Sequence, residues 1–178
     1  MRPVAELLTA PAPLPASRTD QFGAPFEVRR MAADDRPRLE AFYDDFQPKR
    51  AAQGLPPEGK ERVARWLDAI LRDGTHLMVE EGGEVMGHAF LIHGEHAAEA
   101  EYAIFLHQAL RGRGVGTQVN RLAAEVARAE GVRRLWLSVE PHNRAAIRSY
   151  QKAGFQFRPA SLFATEVEME LELAPPAA

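Results

Sequence analysis

Leu39, Phe42, Tyr43 and Phe46 share one face at helical spacing, and Asp34 or Asp35 stands where an N-cap belongs. A second helical face holds Val63, Trp66, Leu67, Ile70 and Leu71, and Asp73-Gly74 ends it. A third helix is predicted from Val115 to Glu130, with Val115, Val119, Leu122 and Val126 aligned. Between the second and third helices the pattern becomes strand-like. Thr75 to Glu80 and Val85 to His93 read as strands joined by the tight turn Gly82-Gly83, and Gly94-Glu95 leads to another from Ala100 to Leu106. Short links between successive strands predict an antiparallel meander. Phe26 to Arg30 reads as an earlier strand. After the third helix come a strand from Leu135 to Val139, a helix from Asn143 to Ala153 with Gly154 at its C′ position, and strands near Phe155 and Val167. The order β-α-α-β-β-β-α-β-α-β-β predicts an α/β fold with a mixed, mostly antiparallel sheet flanked by helices and one parallel crossover.

The pattern fades at both ends. Residues 1–25 hold five of the thirteen prolines and few large side chains, which predicts a flexible Ala/Pro-rich tail. Residues 26–173 then make one domain, and 174–178 a second short tail. Gln47 to Pro57 is expected to be loop, marked by Pro48, Gly54, Pro56 and Pro57. A chain of 178 residues is long enough for one real core. A net charge of −3 and the lack of a basic, aromatic-interleaved patch argue against nucleic acid as a partner. No apolar run reaches membrane-spanning length, and Glu6 and the prolines interrupt the apolar N-terminus, so no membrane partner and a cytoplasmic location are expected. The absence of cysteine removes disulfides, thiolate metal sites and an acyl-cysteine intermediate. Six histidines are scattered, and His93 and His96 lack a third ligand at metal spacing, so no metal is expected.

One stretch concentrates unusual chemistry. Arg111-Gly112-Arg113-Gly114-Val115-Gly116-Thr117 stands where the Ala100 strand hands over to the third helix. A helix N-terminus offers free N–H groups and a positive dipole end, and glycine lets an anion approach the backbone. The plain alternative is a Gly-rich turn with solvated arginines. A P-loop would need lysine before Thr117, where Gly116 stands. A dinucleotide fingerprint would need a small residue at Thr117 and a βαβ start; Glu140 is near the right distance for its acidic residue, but hairpins precede the loop.

Arg111, Gly114 and Gly116 fit Arg/Gln-x-x-Gly-x-Gly, which resembles the pyrophosphate loop of the GNAT superfamily of acyl-CoA-dependent N-acetyltransferases. Leu135-Trp136-Leu137-Ser138-Val139, followed by Asn143 to Phe155 (NRAAIRSYQKAGF), is similar to the family's second signature at the expected distance. The resemblance covers roughly Phe26 to Leu173. It implies that the parallel strands Ala103 to Leu106 and Leu135 to Val139 splay apart and admit the pantetheine arm. Backbone groups near Ile104, Phe105 and Leu106 would pair with its amides and polarise the acetyl carbonyl. Arg111, Gly112, Arg113, Gly114, Val115, Gly116 and Thr117 would hold the pyrophosphate. The resemblance implies that Asn143 contacts the cofactor, whereas the residue itself reads first as an N-cap, and Lys152 could reach a phosphate, whereas by itself it reads first as a solvated surface lysine.

Tyr150 occupies the position of the family's usual general acid. An unperturbed tyrosine titrates near pH 10 against about 8.5 for a thiol, so it suits hydrogen-bond donation to a departing thiolate better than early proton transfer. Its plain alternative is packing beside Ile147. The base is less defined. The strand carboxylate of some family members would fall on Ala100, flanked by Glu99 and Glu101, which should face the other way unless a bulge re-aims them. A glutamate used by ribosomal-protein alanine acetyltransferases is replaced by Ser138. Glu101, Glu140 and His142 remain candidates acting through water, or solvated groups. A weak base favours an acceptor α-amine, of pKa about 7.7–8.0, over a lysine-like amine near 10.4. Asp44, Asp45 and Glu58 flank the loop where family members bind acceptors. The expected activity is transfer of acetyl from acetyl-CoA to a primary amine of a small molecule or peptide in a ternary complex, with Tyr150 and Glu101 as catalytic candidates and a homodimer left open. The alternative is a non-catalytic acyl-CoA-binding sensor or interaction module.

Overall fold

The computed structural model describes residues 14–48, 56–94, 98–159 and 166–174. Its strands are β1 (Ala16–Thr19), β2 (Pro25–Arg30), β3 (Thr75–Glu81), β4 (Glu84–His93), β5 (Glu99–Leu106), β6 (Arg134–Val139), β7 (Gln156–Phe157) and β8 (Val167–Glu172). Its helices are α1 (Arg36–Asp45), α2 (Lys60–Ile70), α3 (Val115–Ala129) and α4 (Arg144–Lys152). The strands form one sheet in the order β1-β2-β3-β4-β5-β6-β8-β7. The β5–β6 pair is parallel and the other neighbours are antiparallel, as the order of elements implies.

Strand alternation divides the core into two layers. Leu77, Val79, Ala89, Leu91, Ala100 and Tyr102 join Val115, Val119, Leu122 and Val126 of α3. Met78, Phe90 and Phe105 join Leu39, Phe42, Tyr43 of α1 and Val63, Leu67 of α2. Helices α1, α2 and α3 therefore turn the stripes that their sequence periods marked toward one face or the other of the meander.

Two local expectations are corrected. Residues 16–19, assigned by composition to the tail, form β1 and pair with β2 from Ala16–Val28 to Thr19–Pro25. This strand buries only Ala16, so no apolar alternation announces it. Its order comes from the edge of β2 and from a tight turn. In that turn Asp20 Oδ1 accepts from Phe22 N and Ala24 N, both at 2.8 Å, and Gly23 takes φ 88. Asp35 does stand at the N-cap of α1, but its carboxylate makes no capping bond there. Instead it accepts from Arg29 at 2.6 and 2.7 Å and from Ala32 N at 2.7 Å. The expected tails at 1–13 and 175–178, and 49–55 of the α1–α2 loop, lie outside the described residues.

Candidate active site

β5 and β6 run side by side for three residue pairs only, Glu99–Arg134, Ala100–Leu135 and Glu101–Trp136. Beyond them the strands diverge, so the edges of β5 from Tyr102 to Leu106 and of β6 from Leu137 to Val139 do not pair with each other. A cavity of about 690 Å3 opens there. Ile104, Phe105 and Leu106 line it from β5, and Ser138 and Val139 from β6. The glycine loop lines one part of it through Arg111, Gly112, Gly114, Gly116 and Thr117, and α4 supplies Asn143, Ser149, Tyr150 and Lys152. Most of the residues chosen from the sequence thus meet around one cleft.

The loop geometry follows from its glycines. Gly114 is the N-cap of α3 in the left-handed region, φ 78 and ψ −1, where a side chain is strained. The first intrahelical bond is Gln118 N to Gly114 O at 3.4 Å, so the earlier N–H groups have no helical acceptor. Asn143 caps α4 through its side chain, which accepts from Ala146 N at 3.2 Å, and it also lines the cavity. Arg111 donates to Gln47 O and lies 5.6 Å over the Phe46 ring, tying the end of α1 to the loop.

Three expected site residues stand elsewhere. Val115 is fully buried in the α3 layer. Arg113 does not line the cavity; its guanidinium is held by Asp20 at 2.5 Å and by Glu81. Its side chain is therefore committed to carboxylates, which a phosphate would have to displace. Glu101 lies on the sheet face opposite buried Ala100, as strand alternation requires, and is not a lining residue. Although its side chain is exposed at the surface, loss of part of its hydration pushes its carboxyl above the ordinary glutamate value, and the charge of Glu166 adds to the shift. Glu140 and His142 line the cavity and lie 3.3 Å from each other. Asp45 is engaged by His107 at 2.9 Å and Asp44 by Lys60 at 3.4 Å.

Tyr150 is 7% exposed, packed edge-on to Tyr102 and against Phe155, and lines the cavity. Burial raises its hydroxyl pKa well above the ordinary value, so it remains a donor through the neutral range. Beneath it runs a polar chain that sequence reasoning missed. Tyr102 donates to Asn120 Oδ1 at 2.8 Å, Asn120 Nδ2 donates to Ser149 Oγ at 3.1 Å, and Ser149 lies 3.2 Å from Thr117 Oγ1. The available signal was an asparagine between Val119 and Leu122 on an apolar helix face. Glu166 was also missed, because only the pairing of β8 with β6 brings it to the cavity.

A model of the acetyltransferase (GNAT) family matches residues 39–155. The L-methionine sulfoximine/L-methionine sulfone acetyltransferase of Pseudomonas paraeruginosa is 28% identical over 139 residues, 72% of this chain and 79% of that protein. The mycothiol acetyltransferase of Corynebacterium glutamicum is 31% identical over 118 residues, 65% of this chain but only 38% of that longer protein. Among solved structures, the GNAT domain of S. lividans PAT superposes with a TM-score of 0.77 at 28% identity, covering 92% of this chain and 99% of that one. The fold is also that of yncA from Salmonella typhimurium, solved with its cofactor acetyl-CoA, at a TM-score of 0.63 and 22% identity over 86% of this chain and 96% of that one. The splayed strands, the glycine loop at the start of α3 and the matched residues agree: this chain belongs to the GNAT family of acetyltransferases.

Proposed function

We propose that the protein moves the acetyl group of acetyl-CoA directly onto a primary amine of a small molecule or peptide, with both substrates bound together. The observation that carries this reading is the divergence of β5 and β6 beside the glycine loop at the N-terminus of α3. A pantetheine arm needs a narrow cleft with backbone donors and acceptors, and an unpaired strand edge supplies both. Backbone groups of Ile104 and Leu106 pair with its amides and polarise the thioester carbonyl. The N–H groups from Gly112 to Thr117 hold the pyrophosphate, aided by Arg111 and Lys152. Asn143 shapes the cleft while capping α4.

In the chemical step the neutral amine attacks the thioester carbonyl carbon. The new C–N bond forms, the C–S bond breaks, and the thiolate leaves. Tyr150, kept protonated by burial, donates a hydrogen bond to that sulfur. The proton lost by the amine passes through water to Glu101, whose raised pKa makes it a better base than an ordinary glutamate. Without cysteine, an acyl-cysteine intermediate is not available.

A relative named for methionine sulfoximine and methionine sulfone supports small amines of that kind as the first acceptors to try. The test is thiol release from acetyl-CoA across amino acids and their sulfones, aminoglycosides, polyamines and peptides. Acceptor-dependent release with at least one amine is expected. Firm CoA binding with no release from any of them would favour a non-catalytic binding module instead.

A further inference from the structure

The turn after β1 lies against the glycine loop, although it is about ninety positions away in sequence. Gln21 Nε2 donates to Gly112 O at 2.6 Å, and Gln21 N donates to Arg113 O at 3.0 Å. Gln118 Nε2 of α3 donates to Thr19 O at 2.8 Å. Asp20, whose side chain is fully buried, grips Arg113. Burial pushes the Asp20 carboxyl up, but Arg113 and the N–H groups of Ala24 and Phe22 together hold it below its ordinary value. Arg113 also bonds Ala109 O at 3.2 Å and Glu81, so one guanidinium joins the turn, the loop and β3. Gln21 itself lines the cavity, and its Oε1 lies 3.8 Å from where a Cβ on Gly114 would stand.

We propose that the β1–β2 turn is a wall of the acyl donor's phosphate subsite, with Gln21 contacting the donor and the Asp20–Arg113 pair as its strut. This rests on the reading of the cavity as an acetyl-CoA site. The carboxamide of Gln21 has two N–H donors, and Gly112 O takes one of them. The second is available to a phosphate oxygen on the glycine loop. A neutral amide suits this place, because it contributes a donor without competing for Asp20 as a third cation would. Arg113 therefore acts on the cofactor as a positioning residue, and Gln21 as a direct ligand.

The test compares two acyl donors in Gln21→Ala and Gln21→Glu. Acetyl-CoA has the phosphates, whereas S-acetyl-pantetheine ends before the pyrophosphate. In Gln21→Ala the KM for acetyl-CoA is expected to rise about three- to tenfold, the worth of one hydrogen bond, with kcat unchanged. Gln21→Glu should raise it further, because a carboxylate repels the phosphates, and added salt should reduce the excess. With S-acetyl-pantetheine both variants should match the wild type. Equal losses on the two donors would mean a general disturbance of the cleft and would overturn the proposal. So would a Gln21→Glu protein that is no worse than Gln21→Ala at low salt. A wild-type protein that shows no CoA binding by calorimetry would instead remove the acetyl-CoA reading on which the proposal rests.

Discussion

At the scale of single residues, Tyr150 and Glu101 share one physical cause and differ in its consequence. Lost hydration raises both pKa values, though Tyr150 is buried and Glu101 is exposed at the surface. For a tyrosine this makes the hydroxyl a weaker acid that stays a donor; for a glutamate it makes the carboxylate a stronger base. Tyr150→Phe keeps the ring packing on Tyr102 and Phe155, so CoA affinity should survive. Its kcat and kcat/KM should fall together by ~10²-fold, the low end for general acid catalysis, because the lost bond forms mainly as the thiolate leaves. Equal kcat values, with chemistry shown to be rate-limiting, would reduce Tyr150 to packing. Glu101→Gln should remove the acid limb of the pH profile of kcat/KM. In the wild type that limb lies above the ordinary glutamate value, since partial loss of hydration and the charge of Glu166 both disfavour the ionised form. Glu166→Gln removes a repelling charge, so it should move the limb to lower pH. A limb that stays in place in both variants would exclude Glu101 as the base.

At the scale of elements, the contact between α1 and the sheet has a polar chain in its middle. Tyr43 Oη lies 2.7 Å from His88 Nδ1, and His88 Nε2 lies 3.0 Å from His76 Nδ1. His88 is fully buried, and burial, with His76 adding to it, holds its pKa well below the ordinary value. The folded protein therefore keeps His88 neutral, while an unfolded chain protonates it near pH 6.5. Below that pH the unfolded state binds more protons, so stability must fall as pH drops. The urea midpoint should decline from pH 7 to about 5.5, and His88→Gln should flatten that slope. An unchanged slope would show that His88 titrates alike in both states. Tyr43→Phe would leave a buried ring nitrogen without its partner, at a cost of about 1–3 kcal/mol.

At the scale of the whole molecule, β1 and its turn close one end of the sheet and reach the cavity at the same time. Deleting residues 1–24 removes β1, the buried Ala16 and the Asp20 carboxylate that steadies Arg113. Such a truncation should lower the melting temperature and weaken CoA binding together. Deletion of 1–13 alone should leave both properties near the full-length values, because every described contact of the turn is retained. Differential scanning calorimetry and CoA titration of the two truncations would decide this. Full CoA affinity in the longer deletion would contradict the coupling of the turn to the loop.

The sequence by itself determined the element order from β2 onward, the helical stripes and the strand alternation, because these depend on periods of 3.6 and 2 within a short window. It also determined the glycine loop at the start of α3 and the capping asparagine of α4, since both are local backbone requirements. Tertiary structure alone decided what met those elements from a distance. β1 has one buried residue and no period, so only the edge of β2 and the Asp20 turn give it order. Arg113 stands in a phosphate motif, yet two carboxylates from β3 and the β1–β2 turn claim its side chain. Glu166 gains its influence over Glu101 because β8 pairs with β6 and β6 with β5. Charge partners distant in sequence act through space, and no local pattern encodes which of them folding will bring together.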